Sequence, residues 1–306
     1  MVSSKGKQIW MDGRMVPWDQ AKVHVLVHSL HYGTGYFEGI RCYLLANGRS
    51  AVFRLPEHIR RFFDSGQILG FPFSFSPADI EQAIRDVVKA NDLKECYIRP
   101  IAFVGEGEMG LYAPGNPIHV VIAAWPWGAY LGEDGIKNGI RVKVSSYTRH
   151  HVNVAMTKSK ISGNYVNSVL AKNEVKQAGY DEAIMLDTEG YVSEGSGENI
   201  FIVRDGRIKT TPNTSILPGI TRDSLLTIAR DREMPVSEER FSRDELYMAD
   251  EAFLTGTAAE VTPIREVDDR KIGRGCPGAV TRDLQQAFFN VIKGKEKKYL
   301  RWLTYL

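Results

Sequence analysis

Two lysines, Lys158 and Lys160, stand just ahead of a Ser-Gly-Asn turn and an apolar-periodic run in MTKSKISGNYVNSVL (156–170). Lysines so placed are either solvated or positioned as a nucleophile beside a ligand. LPGITRDSLL (217–226) sets Pro218-Gly219 before a predicted helix. That leaves the amides of Ile220 and Thr221 without intrahelical partners, a favourable place for a phosphate. TGTAAE (255–260) ends an apolar strand with two threonines and a glycine, and can turn around an anion. In YVSEGSGENIF (191–201) two glycines and a serine lie between glutamates. Glycine lets the backbone approach a ligand, and a glutamate there can oppose a heterocyclic nitrogen. LPEHIRRFFDSG supplies Arg60 and Arg61, and arginine forks onto phosphate oxygens. CYIRP places Tyr97 and Arg99 at i and i+2, on one face of a strand. A buried Arg99 demands an anion, because an unpaired buried charge is costly.

Each segment alone also reads as an ordinary loop, hairpin or solvated face. Together they meet the needs of a pyridoxal phosphate enzyme: a lysine to bond the aldehyde, a phosphate cradle, an acid for the pyridine nitrogen and a donor for the substrate carboxylate. No GxGxxG follows a strand, and there is no Walker loop and no HExxH.

The elements that must hold these residues alternate irregularly between strands and helices, too irregularly for a barrel of repeated strand-helix units. Hairpins are expected in QIWMDGRMV and in NIFIVR–RIKTT, where Asp205-Gly206 is a strong turn signal. KVHVLV, SAVFRL, CYIRPIAFVG, IHVVIAAW, IRVKVSSY, EAIMLD and EAFLTG read as strands. Helices are predicted from Pro56 through Ile68, from Ser76–Pro77 to about residue 91, after Asn164, and near 220–231, 243–248 and 280–293. PWGAYLGEDGIK breaks the pattern, so two α+β domains with mixed sheets are expected: 1–125, a connection at 126–136, and 137–306 carrying Lys160. The net charge of +2 over 306 residues gives no support for nucleic-acid or polybasic membrane binding. Three scattered cysteines fit neither a disulfide framework nor a metal cluster. With no apolar run near ~20 residues and no signal-like N-terminus, a soluble, cytoplasmic, metal-free protein is expected.

The chain resembles the fold-type IV pyridoxal phosphate enzymes, and among them the branched-chain amino acid aminotransferases. The motifs are HYGTGYFEGIRCY, EHIRRF, YIRP, GEGEMG, PWGAYLG, KISGNY, SEGSGENIF, LPGITR, TGTAAEVTPI and TRDLQQAFF, spread in order over nearly the whole chain. The resemblance implies that Lys160 bonds the cofactor and shuttles a proton, leaving Lys158 at the surface or site rim. It implies that Tyr165 meets the cofactor's phenolic oxygen and Glu194 its pyridine nitrogen. Arg61, the Ile220 and Thr221 amides and Thr257 then hold the phosphate, with Leu217, Gly219 and Gly256 lining the cofactor. For the substrate it implies an α-carboxylate held by Tyr97 and the Ala258-Ala259 backbone. Around the side chain it implies a box of Tyr32, Phe37, Met109, Trp127, Tyr130 and Tyr165, space at Gly39 and Gly197, and Arg99 for the distal carboxylate of glutamate or 2-oxoglutarate.

The implied activity is ping-pong transamination between leucine, isoleucine or valine and 2-oxoglutarate, in a dimer or a hexamer built as a trimer of dimers. The GEGEMGLYAPG loop is the segment expected to reach a partner subunit. D-amino acid aminotransferases, R-selective amine transaminases and aminodeoxychorismate lyases share the cofactor residues, but YFEGIRCY, YIRP and GEGEMG favour the branched-chain reading. A silent cofactor-binding scaffold is opposed by the intact lysine, glutamate and tyrosine. His150 and His151 have no role in this scheme and read as surface or interface residues. The Cys-x-x-Cys pair of some animal relatives is absent.

Overall fold

A computed structural model describes residues 5–128 and 130–306; residues 1–4 and Ala129, the latter within the expected connection, lie outside the described residues. The chain forms two compact units. The first holds residues 1–127, 159–165 and 291–306, and the second holds 128–158 and 166–290. The division is therefore discontinuous, and Lys160 groups with the first unit rather than with the C-terminal residues around it in sequence. The cause is local hydrogen bonding. Ile161 forms a β-bridge to Tyr36, and the Phe37 amide donates to the Lys160 carbonyl at 3.1 Å.

In the first unit the sheet runs Leu303–Tyr305, Ser50–Phe53, Ile40–Leu44, Cys96–Val104, Ile118–Trp125, Gln8–Met11, Arg14–Pro17, with Gly35–Phe37 also paired to Cys96–Val104. Every pairing in it is antiparallel. The two long apolar runs of CYIRPIAFVG and IHVVIAAW are adjacent inner strands, in register from Tyr97–Trp125 to Val104–Ile118. Helices Leu55–Leu69 and Pro77–Ala90 pack with this sheet through Ile59, Phe62, Ile80, Ile84 and Val87 against Ile98 and Ile122. Each such buried side chain contributes about 1.5–3 kcal/mol. Pro56 lies in the first turn of one helix, and Ser76 caps the other reciprocally with Asp79.

KVHVLV, expected as a strand, is not one; it runs without ladder pairing into a short helix, His28–Tyr32. Its valines alternate properly, but no neighbouring strand takes up its edge. Val23 and Val25 are left exposed.

The second unit has a mixed sheet in the order Val192–Gly195, Glu182–Leu186, Ile140–Val144, Glu260–Val267, Glu251–Gly256, Asn199–Arg204, Arg207–Thr210, Val236–Glu238, with Arg270–Lys271 on Glu260–Val267. Three of its pairings are parallel. The Asp205-Gly206 hairpin forms as expected, both residues at positive φ (50° and 72°). Within the glycine-rich stretch predicted as a connection, Glu133–Asn138 is helical.

Candidate active site

Lys160 lies in the first unit. Lys160 is fixed at its backbone: the amide donates to Ser65 Oγ at 3.1 Å, and the carbonyl accepts from Phe37. Its side chain reaches forward along the chain, Nζ donating to Tyr165 Oη at 2.6 Å. Tyr165 begins the helix Tyr165–Gln177, so the Ser-Gly-Asn turn places amine and phenol together. Gly163 closes that turn on Gly33, whose φ of 66° and close approach leave no room for a Cβ. The Phe37 ring lies 4.9 Å from the Tyr165 ring and 5.0 Å from Lys160 Nζ.

Tyr97 and Arg99 share a strand face as their spacing predicted, with an Arg99 Nη donating to Tyr97 Oη at 3.1 Å. The Arg99 guanidinium lies over the Phe37 ring at 4.5 Å. Its Nε is buried and has no hydrogen-bond partner among the described residues. Trp127 packs edge-on against Tyr97 at 4.4 Å. A Cβ on Gly39 would stand 2.0 Å from Tyr97 Oη, so only glycine admits that phenol. Tyr32, by contrast, is exposed and donates to the Met109 carbonyl at 2.7 Å.

Arg61 is held by a residue that sequence reasoning left without a role. Glu38, fully buried, accepts from Arg61 Nε at 2.6 Å and from an Arg61 Nη at 2.9 Å, and bonds His58 Nδ1 at 2.7 Å. Burial pushes the Glu38 carboxyl up, but Arg61 and His58 outweigh it and hold the group well below the usual carboxylate range. Burial lowers the His58 imidazole, against the opposing pull of its hydrogen bond to Glu38. The signal was present in YFEGI, where an acid in an apolar run must find a cation.

The second unit holds a helix start without a side-chain cap and a buried acid, Glu194. Helix Ile220–Asp231 has Gly219 as its N-cap and no side-chain cap, although Ile220 and Thr221 are buried. A Cβ at Gly219 would meet Asn199 Oδ1 at 1.9 Å, so the sequence cannot place a capping side chain there. The positive end of the helix dipole at this start is a favourable place for an anion. Gly256 ends the strand Glu251–Gly256, and the following turn of Thr257, Ala258 and Ala259 is pinned by Thr262 Oγ1 donating to the Ala259 carbonyl at 2.7 Å. Gly197 has open space where a side chain would project. Tyr130 lies under the Lys172 ammonium at 5.4 Å.

Glu194 is 5% exposed, and accepts from Arg149 Nε at 2.7 Å, the Leu217 amide at 3.2 Å and Asn199 Nδ2 at 3.3 Å. Glu198, the other glutamate of the motif, is similarly buried. Burial and the neighbouring Glu182 push its carboxyl up to about 8. Lys158, expected at the surface or rim, is half-buried and donates to the Ile216 carbonyl at 3.3 Å. Burial lowers its ammonium, against the opposing pull of Glu194. Arg149 and Asn199 escaped sequence reasoning, since an arginine before two histidines and an asparagine opening a strand carry no spacing signal.

The chain is similar to known proteins over nearly its whole length. Residues 35–267 match the family described as amino-transferase class IV. The branched-chain-amino-acid aminotransferase of Pseudomonas aeruginosa is 53% identical, over 97% of this chain and 96% of its own. The crystal structure of the Escherichia coli branched-chain amino acid aminotransferase superposes with a TM-score of 0.96, at 48% identity, covering 98% of this chain and 99% of that one. A T.th. branched-chain amino acid aminotransferase, solved in complex with N-(5′-phosphopyridoxyl)-L-glutamate, gives 0.94 at 49% identity with the same coverage. The chain belongs to the class IV aminotransferases and, within them, to the branched-chain-amino-acid aminotransferase family.

Proposed function

We propose that the chain transfers the amino group of leucine, isoleucine or valine to 2-oxoglutarate, giving branched-chain 2-oxo acids and glutamate, with pyridoxal 5′-phosphate as cofactor. The carrying observation is the pairing of Lys160 Nζ with Tyr165 Oη beside an arginine, Arg99, that is stacked on an aromatic ring with a buried N–H unsatisfied.

The residues fit the cofactor: an amine with a phenol against it, an uncapped helix start with no room for a cap at Gly219, and a buried carboxylate. Lys160 would hold its aldehyde carbon, Tyr165 its phenolic oxygen and Glu194 its ring nitrogen. Arg61, Thr257 and the amides of Ile220 and Thr221 would hold its phosphate, with Leu217, Gly219 and Gly256 along it. When bound, the cofactor supplies an aldehyde that bonds amines and a ring that takes up the electron pair left at the substrate α-carbon.

The chain's own residues do the rest. Lys160 Nζ would carry the proton from the donor's α-carbon to the cofactor's aldehyde carbon, and in the second half-reaction from that carbon to the α-carbon of the acceptor. Tyr165, within hydrogen-bond reach, keeps that amine oriented. Tyr97 and the Ala258-Ala259 backbone receive the α-carboxylate. We assign the substrate side chain to Phe37, Tyr32, Met109, Trp127, Tyr130, Gly39 and Gly197, aromatic surface burying its methyl groups at about 0.8 kcal/mol each. Arg99 satisfies its vacant N–H only when a second carboxylate arrives, which lets one pocket accept both leucine and glutamate. A relative with a glutamate adduct supports this reading.

Leu111 and Tyr112, in the GEGEMGLYAPG loop, are 86% and 84% exposed, and Val154 is 78% exposed. Such apolar surface supports assembly at least as a homodimer. Among the described residues no helix is long and apolar enough to cross a membrane; we place the enzyme in the cytoplasm. A coupled assay with leucine and 2-oxoglutarate tests the proposal. Glutamate formation is expected, also with isoleucine and valine. Turnover of D-alanine or a primary amine in place of these donors would reject it, and no turnover of any donor would favour a silent scaffold.

A further inference from the structure

The acid assigned to the ring nitrogen is gripped by Arg149 and Asn199, which the chemistry above does not use, and by the Leu217 amide. Arg149 belongs to the loop after strand Ile140–Val144, Asn199 opens the strand Asn199–Arg204, and Leu217 precedes the helix Ile220–Asp231. All converge on the Glu194 carboxylate, at 2.7, 3.3 and 3.2 Å. Arg149 is itself anchored, its amide donating to the Leu186 carbonyl at 2.7 Å. Asn199 Nδ2 also donates to the Leu217 carbonyl at 3.0 Å, tying the carboxylate to the loop that leads into the anion cradle.

From this geometry we propose that Arg149 is a positioning residue for transamination, keeping the Glu194 carboxylate ionised and aimed while Asn199 fixes its second oxygen. This rests on the reading that Glu194 serves the ring nitrogen. A carboxylate removed from water loses its hydration, and only a close cation keeps it charged. The Arg149 and Glu194 side chains are 11% and 6% exposed, so solvent screens their pairing little. Other charged groups nearby do not replace Arg149. Lys158 also pulls on Glu194, but burial and Arg222 lower its ammonium, and its Nζ donates to the Ile216 carbonyl at 3.3 Å. Glu198 is disfavoured as an anion by burial, Glu182 and Glu194. Arg149 also lines a cavity of about 390 Å³ with His150, His151, Asp187, Glu189 and Arg240. There Arg240 engages Asp187 and Glu189 at 2.7 and 2.8 Å, so neither acid competes for Arg149. Burial and Arg149 hold His150 down to about 4, hence neutral.

The test compares Arg149→Met, Arg149→Gln and Arg149→Lys with Glu194→Gln, each as holoenzyme, reading kcat, KM for leucine and the pH dependence of the cofactor's visible absorption. Arg149→Met should lower kcat about 10–100-fold with little change in KM, and move the acid limb of kcat and absorption up by roughly 1–2 pH units. Arg149→Lys should restore most of both. Should the methionine variant not fold, the glutamine variant must show the same shift. Combined with Glu194→Gln, Arg149→Met should add little further loss, because both act through one charge. An impaired Glu194→Gln beside unchanged kcat and pH profile in Arg149→Met overturns the proposal alone. A kcat loss that lysine does not rescue, with the pH profile unmoved, means a purely structural brace and also overturns it. Wild-type turnover and absorption in Glu194→Gln overturn the Glu194 assignment and the proposal with it.

Discussion

Replacing Arg99 with methionine separates the two substrates that one pocket is asked to accept. In the structure Arg99 is held by Tyr97 and the Phe37 ring, and its buried Nε has no partner among the described residues. Leaving such a donor unsatisfied costs about 1–3 kcal/mol, which an arriving carboxylate recovers. Removing the cation then strands the substrate's distal carboxylate against aromatic walls. Loss of a desolvated charge pair of this kind costs about 2–5 kcal/mol. At about 1.4 kcal/mol per decade, that is roughly a 30-fold to several-thousand-fold fall in kcat/KM. Leucine, isoleucine and valine make no such contact, and methionine offers them an apolar surface of similar length. Single-turnover absorbance changes of the cofactor measure each half-reaction separately. The glutamate and 2-oxoglutarate half-reactions should collapse while the leucine half-reaction stays within about threefold, a free-energy change below about 1 kcal/mol. Equal losses for leucine and glutamate would refute the reasoning, and would mean that Arg99 holds the α-carboxylate common to both.

Other perturbations follow from the same geometry. Glu38→Gln leaves Arg61 without its anionic anchor; cofactor affinity, measured by equilibrium dialysis, should fall about 10–100-fold, as for lost supporting contacts at other sites, and unchanged affinity would contradict the anchoring role. Gly219→Ala would drive a Cβ into Asn199 and should weaken cofactor retention more than it lowers thermal stability, which the same titration and a melting curve compare. Glu198 has a raised pKa, about 8 folded against 4.5 as its ordinary value, so the folded state holds a proton that the unfolded chain has released. Its contribution is full below about pH 4.5 and is lost as pH rises towards 8, at up to about 1.4 kcal/mol per pH unit. Glu198→Gln should flatten the denaturant-measured stability profile across that window, and an unchanged slope would locate the proton elsewhere.

The sequence made some parts of this molecule legible and concealed others for definite reasons. Strand pairs with long apolar runs, such as CYIRPIAFVG with IHVVIAAW, could be read because both faces of an inner strand are covered. The Asp205-Gly206 hairpin and the Ser76-Asp79 cap are local devices that need only a few residues. KVHVLV misled because alternation marks a possible strand but does not supply a neighbour to pair with. The assignment of Lys160 to the first unit was hidden as well, since it depends on hydrogen bonds to Phe37 and Ser65, far away in sequence. At the site, Lys160, Tyr165, Tyr97 and Arg99 announce themselves through short spacings that a turn or a strand face converts directly into contact. Glu38, Arg149 and Asn199 act through partners 23, 45 and 5 residues away in sequence, and nothing in their own surroundings named those partners.

The central claim is that Lys160, and not its neighbour Lys158, is the nucleophilic amine. The structure puts Lys160 Nζ on Tyr165 Oη, whereas Lys158 is spent on the Ile216 carbonyl. Borohydride reduction of the cofactor-loaded enzyme, followed by peptide mapping, fixes the cofactor permanently to the lysine that carries it. The label should fall on Lys160 alone, in about one equivalent per chain, since one amine bonds one aldehyde, and Lys160→Ala should fold normally yet take no label. A label on Lys158, or full labelling of Lys160→Ala, would contradict the account.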